Sequence, residues 1–152
     1  MSKPVSFETT IEVRDTCLCL HIQRAARALA QRFDEALRPV GLTSGQFSLL
    51  NALNRPEPPG VSPVAQLLAM DRTTLTAALK PLEREGLVAI ASNPDDRRNR
   101  LLRLTERGRS VLAAAVPIWR DTHSIIEAGL PAVAPEELRG ALRTLSRRST
   151  QP

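Results

Sequence analysis

The sequence predicts a mainly α-helical single domain with a small β-hairpin, in which a helix-turn-helix is flanked by long amphipathic helices. Three observations carry that expectation. Apolar residues recur at helical spacing over most of the 152 residues. The period shortens to two around residues 88–90 and 102–104. Prolines, glycines and capping residues fall where one helix has to give way to the next. The length suits one hydrophobic core of ordinary size.

Taken in order, Cys19, Ile22, Ala26, Leu29 and Phe33 mark one face of a long helix over residues 16–37, with Arg24, Gln31, Arg32 and Glu35 between them. Pro39 and Gly41 stop it. Thr43 and Gln46 have capping-box spacing, and Leu42 is placed to staple onto Phe47, so a second helix runs to about Asn54 on Phe47, Leu50 and Leu53. Residues 55–63 hold four prolines and Gly60, the best break in the chain. Ser62 before Pro63 predicts a helix start, because proline in a first turn has no amide hydrogen to leave unpaired. That short helix reaches about Ala69. Asp71 caps the next, over residues 72–85, and Gly86 ends it in a left-handed turn. Two helices joined so tightly form a helix-turn-helix.

Val88 and Ile90, a polar segment, then Leu102 and Leu104 read as a two-stranded hairpin. Thr105 caps another long helix, striped by Val111, Leu112, Ala115, Trp119, Ile125 and Ile126 and kinked at Pro117. A last helix starts near Pro135 and carries Leu138, Leu142 and Leu145. The domain, residues 1–152, thus divides into amino-terminal dimerisation and support helices (16–54), the helix-turn-helix with its hairpin (61–105), and carboxy-terminal dimerisation helices (106–148).

Composition narrows the function. Lys and Arg number 21 against 16 Asp and Glu, so a polyanion is the natural partner. Only 3% of residues are aromatic and none is Tyr, which leaves little material for a base-stacking platform of the single-strand or RNA-binding kind. Between Ser62 and Ser110 nine cations face six anions, the largest surplus along the chain. No apolar run approaches the roughly 18 to 20 residues of a membrane span, and no basic start with an apolar stretch marks a secretory signal. A cytoplasmic location with reduced thiols is the expectation, with no membrane partner.

On the second helix of the helix-turn-helix, Leu75, Ala78, Leu79 and Leu82 form the packed face. The other displays Arg72, Thr73, Thr76, Ala77, Lys80 and Arg84, with Thr74 beside them. Hydroxyls, a methyl and cations suit a major groove, where base edges offer acceptors, donors and the thymine methyl. The hairpin turn reads SNPDDRRNR (residues 92–100). Its Arg97, Arg98 and Arg100 suit a narrow minor groove and its phosphates, with Asp96 expected to pair with a nearby guanidinium and orient it. An ordinary solvated helix face and a merely soluble charged turn are the plainer readings of the same residues.

The stretch MDRTTLTAALKPLEREGLV (residues 70–88) followed by NPDDRRNRLLRLTERG (residues 93–108) resembles the recognition helix and wing of MarR-type regulators. Helix, glycine stop, D-x-R wing (Asp96, Arg98) and LT-x-x-G entry occur in order, with weaker similarity in LRPVGLTSGQFSLLNAL (residues 37–53). The resemblance implies a winged helix-turn-helix, a homodimer joined by its terminal helices, a roughly palindromic double-stranded operator, repression as the usual outcome, and release by a small-molecule effector or by cysteine oxidation. The long apolar-striped helices at both ends support the dimer independently, since those stripes need cover.

The spacing from Cys19 to Thr43, and Arg27, look like the pattern of organic hydroperoxide sensors of this family, but the tyrosines that hold the thiolate there are missing. Cys19 on the apolar stripe reads as an inert packed thiol and Cys17 as the more exposed one. Cys17, Cys19 and His21 alternate and do not converge on a metal, and His123 is the only other histidine, so no metal site and no cofactor are expected. Trp119 reads as core or interface first and as the wall of a ligand pocket second. No nucleotide-binding glycine loop, G-x-S-x-G elbow or H-E-x-x-H pair supports an enzyme. A winged-helix module that binds proteins is the rival from another class.

Overall fold

A computed structural model describes residues 3–147; residues 1–2 and 148–152, including the ends of the domain drawn above, lie outside the described residues. The order is α1 (Phe7–Thr16), α2 (Leu18–Leu37), a 3-10 turn (Arg38–Val40), α3 (Ser44–Leu53), α4 (Val61–Leu67), α5 (Arg72–Arg84), β1 (Val88–Ser92), β2 (Arg100–Leu104), α6 (Glu106–Ala128) and α7 (Pro135–Ser146). The winged helix-turn-helix is α3 to β2, with α2 and α6 packed across it and α1 and α7 at the periphery.

Local chemistry accounts for most boundaries. Gly41 takes φ +73°, the left-handed value that ends the turn after α2. The backbone amide of Ser44 then donates to Asp34 Oδ1 at 2.6 Å, tying the start of α3 back to α2. Thr43 and Gln46 form the reciprocal capping box. Two starts differ from expectation. The helical chain begins earlier, at Phe7, where the Ser6 side chain accepts from the Thr9 amide. The cap of α4 is Gly60 rather than Ser62, because Gly60 pairs with Leu101 as a short bridge and turns the chain into the helix two residues earlier.

Eighteen leucines, valines and alanines form the buried core, and no polar side chain among the described residues joins them. Leu37, Leu50, Leu75, Leu82 and Leu102 are wholly inaccessible, so the core is the place where α2, α3, α5 and β2 meet. The hairpin pairs Val88 with Leu104 and Ile90 with Leu102, which puts the apolar residues of both strands on one face.

Where hairpin, α5 and α6 converge, the chain is held by backbone contact. The Thr105 amide donates to Leu87 O at 3.1 Å. The Thr105 hydroxyl donates to Gly86 O at 2.6 Å and accepts from the Gly108 amide at 2.9 Å. Gly108 faces Leu87 so closely that a Cβ there would lie 2.0 Å from the Leu87 carbonyl oxygen. On α6, Pro117 leaves the Ala113 carbonyl without a helical donor, but the helix continues to Ala128.

The terminal helices are thinly covered. Val5, Phe7, Leu18, Ile22, Leu29, Ile125, Leu138, Leu142 and Leu145 are all exposed in the single chain. Glu127 of α6 pairs with Arg139 of α7, which also pairs with Glu136 at 2.9 Å. Arg143 first and then Arg139 hold the Glu136 carboxyl below its ordinary range. Among the described residues no helix is long and apolar enough to cross a membrane.

Gly108→Ala should destabilise the domain by roughly 2–4 kcal/mol in urea unfolding, because backbone must shift to admit the methyl group. Gly140→Ala, with nothing within 4 Å of the new Cβ, is the control and should be neutral or slightly stabilising.

Candidate nucleic-acid interface

Helix α5 lies with Leu75, Leu79 and Leu82 in the core and its other side in solvent. At about 100° per residue, Thr73, Thr76, Ala77, Lys80 and Arg84 fall within roughly a third of the circumference. All five are exposed. With Arg72, four of them line a shallow groove of about 310 Å³. Arg72 and Thr74 flank this strip. The Arg72 guanidinium donates to Ser62 Oγ at 3.1 Å, bracing α5 against α4. Thr74 is less available than expected, because its amide and hydroxyl both donate to the Asp71 carboxylate, at 2.7 and 2.8 Å. The Thr76 hydroxyl donates to Arg72 O at 2.8 Å and keeps its lone pairs outward.

One feature of the strip escaped the sequence reading. Pro81 has no amide hydrogen, so the carbonyl of Ala77, a strip residue, lacks its usual donor four positions on. The proline itself was the available signal.

The wing supplies the second half. Its turn is closed by Asn93 donating to Asn99 O at 3.2 Å and by Asn99 donating to Asp96 O at 3.1 Å. Arg97, Arg98 and Arg100 are exposed, and among the described residues none of them pairs with a carboxylate. Asp96 does not pair with a guanidinium as expected. Its Oδ1 accepts from the Arg98 backbone amide at 3.0 Å and its Oδ2 from Asn99 Nδ2 at 2.9 Å. An amide two residues on is nearer than any guanidinium at the end of its stem, so Asp96 shapes the backbone of the turn that carries the arginines.

The profile of the MarR family matches residues 42–99, which run from the start of α3 through the wing turn. The organic hydroperoxide resistance transcriptional regulator of Bacillus subtilis is 30% identical over 66% of this chain and 69% of its own length. The transcriptional activatory protein BadR of Rhodopseudomonas palustris is 34% identical over 62% of this chain, a stretch that spans 55% of BadR. The crystal structure of the Mycobacterium tuberculosis transcriptional regulator MosR in complex with DNA superposes with a TM-score of 0.79 at 36% identity, covering 86% of this chain and 93% of MosR. The chain belongs to the MarR family.

This MarR-family protein also has a cleft between α6 and the helix-turn-helix. About 570 Å³ is lined by Phe47, Ser48 and Asn51 of α3, Leu67 and Leu68 at the end of α4, and Val116, Trp119 and Arg120 of α6. The volume lies in the range of small-molecule sites, roughly 300–1,000 Å³. Trp119 stacks on Phe47 at 6.2 Å between centroids and on His123 at 4.8 Å, so its ring forms a rigid wall. The sequence pointed to Trp119 alone; Ser48, Asn51 and Arg120 become cleft residues only when α6 crosses α3.

The cysteines are placed differently from expectation. Cys19 is exposed and Cys17 is the more covered of the two. Cys17 is no interior helix residue: it is the extended junction between α1 and α2, and its carbonyl bonds to His21 Nδ1 at 2.8 Å. Cys19 Sγ accepts from Gln23 Nε2 at 3.4 Å. The stripe that carries Cys19 is uncovered within one chain, which is why the thiol is not packed.

Asp71 ties the interface to pH. Thr74, through its amide and then its hydroxyl, holds the Asp71 carboxyl below its ordinary value of 3.8. Its contribution is therefore complete above that value and is lost as pH falls through the lower folded value. The melting temperature of wild type should exceed that of Asp71→Ala at pH 7, and the gap should narrow below about pH 4. A gap that is unchanged in acid would contradict the charged cap.

Proposed function

We propose that this chain is a sequence-specific transcriptional regulator that binds a pseudo-palindromic site in double-stranded DNA as a homodimer, represses, and releases the site when a small molecule fills the Trp119 cleft. The observation that carries the reading is the pairing of an exposed hydroxyl-and-cation strip on α5 with a wing whose three arginines face solvent. The strip fits a major groove, and the arginine-tipped wing fits the adjoining minor groove and its phosphates. That MosR was crystallised with DNA in the same fold at 36% identity supports the same choice of partner. The uncovered apolar residues on α2, α6 and α7 support the dimer, since a two-fold mate would bury them and would set two α5 helices on successive grooves. The cleft supports ligand control, because it is walled by α6 on one side and by the helices that carry α5 on the other.

Lys80→Ala and Arg98→Ala should each weaken operator binding about tenfold or more. If each residue meets a phosphate in both halves of a dimer, the slope of log affinity against log salt should fall by about two. Wild-type affinity and salt slope in both variants would show that this surface is not the one used.

A second reading is favoured by the exposure of Cys19: a redox-sensing repressor of the same fold, in which peroxide oxidises the Cys19 thiolate to a sulfenic acid and is itself reduced to water. Under that reading, stoichiometric peroxide lowers operator affinity of wild type several-fold and leaves Cys19→Ser unchanged. An equal response in both would remove it.

A further inference from the structure

At the root of the wing, on the side away from its arginine tip, lies a cavity of about 200 Å³. Its lining brings together Arg55 from the proline-rich loop, Arg103 from β2 and Arg109 from the first turns of α6, over a floor of Leu53, Leu102 and Leu104. No carboxylate is among the lining residues. We propose that this cavity is a binding site for a compact oxyanion carrying two or more charges, of the diphosphate or tricarboxylate kind.

The placement separates it from the DNA surface. Arg103 sits opposite Ala89 in the lower half of the ladder, whereas Arg100 sits opposite Ser92 at its tip. The loop that carries Arg55 approaches the same lower half, because the Leu102 amide donates to Pro59 O at 2.8 Å and Gly60 bridges Leu101. The cavity is therefore framed by the loop and β2, whose backbones are bonded, with Arg109 of α6 at its rim and Pro56 and Pro58 stiffening one wall.

The charges are arranged for a ligand. Arg109 is anchored, its Nη1 donating to Leu104 O at 3.0 Å, which fixes the plane of one guanidinium at the rim. Among the described residues, Arg55 and Arg103 give no side-chain hydrogen bond and form no ion pair. Three like charges around one small space repel one another, and a polyanion would remove that repulsion while accepting planar two-point hydrogen bonds from each fork. The volume is below that of drug-sized sites, so the ligand is small and its charge density high. It would bridge wing, proline-rich loop and α6, and so stiffen the wing's attachment.

The test uses full-length protein without DNA, titrated with inorganic pyrophosphate and, separately, citrate, at constant ionic strength. Saturable binding by calorimetry and a rise of several degrees in melting temperature are expected. Both should fall at least tenfold in Arg55→Gln/Arg103→Gln, two exposed positions at which the fold is expected to tolerate the change, checked by an unchanged circular dichroism spectrum. Lys80→Ala should bind both anions like wild type, which distinguishes failure of this site from failure of the DNA surface. No saturation at millimolar anion, or equal binding by the double variant, overturns the proposal. So does a double variant that loses operator affinity and salt slope while wild type ignores both anions, since the arginines would then be phosphate contacts of the DNA.

Discussion

The arrangement of the whole domain turns on one side chain and the glycine three residues beyond it. Thr105 donates to Gly86 just past the end of α5, its amide holds Leu87 at the entry to the wing, and its oxygen caps the long helix α6 at Gly108. Three elements that must keep fixed mutual angles are thus joined within a few ångströms by polar bonds with defined directions. Apolar packing alone would not do this, because leucines slide past one another at small cost whereas a hydroxyl that gives one bond and takes another has few orientations. Gly108 completes the joint by letting the Leu87 carbonyl sit where any side chain would collide with it.

That joint determines how a ligand signal could travel. Helix α6 leaves it as one continuous element and reaches the Trp119 cleft about three turns later, so a tilt of α6 about Thr105 would be felt at once by α5 and the wing. The cleft is bounded opposite by α3 and the end of α4. A molecule seated against Trp119 and Phe47 would push α6 and α3 apart, and both helices carry residues of the leucine core. A ligand that binds both spacings equally would change nothing; control needs a preference for one of them.

Much of this was legible in the chain because it is written in short-range chemistry. Thr43, Asp71, Gly86 and Thr105 announce helix ends through bonds to residues two to four positions away, and the hairpin shows in a change of period around Val88 and Leu104. What was missed depends on partners distant in sequence or on weak patterning. Helix α1 has little amphipathic contrast, with its threonines and acids spread around it, so periodicity is silent there. Gly60 rather than Ser62 starts α4 because of Leu101, forty residues on. Asp96 found a backbone amide where side-chain logic supplied a guanidinium. The exposure of the α5 strip is legible, since a helix with one leucine face leaves little choice about the other, whereas the tie of Thr74 to Asp71 is not.

The cysteine pair shows what one chain withholds. Cys19 belongs to the same stripe as Ile22 and Leu29, which are 37% and 39% exposed, so the thiol expected to be packed stands open in the single chain together with the stripe that carries it. The cost of leaving the apolar residues of α2, α6 and α7 uncovered grows with every leucine among them. Association would therefore decide the chemistry of the thiol as much as the position of the helices: a mate that covers the stripe near Cys19 would shield it from peroxide, and one that stops short would leave it open. Under the redox reading, dimer geometry and access to the Cys19 thiol would be one physical variable, read at two places on α2.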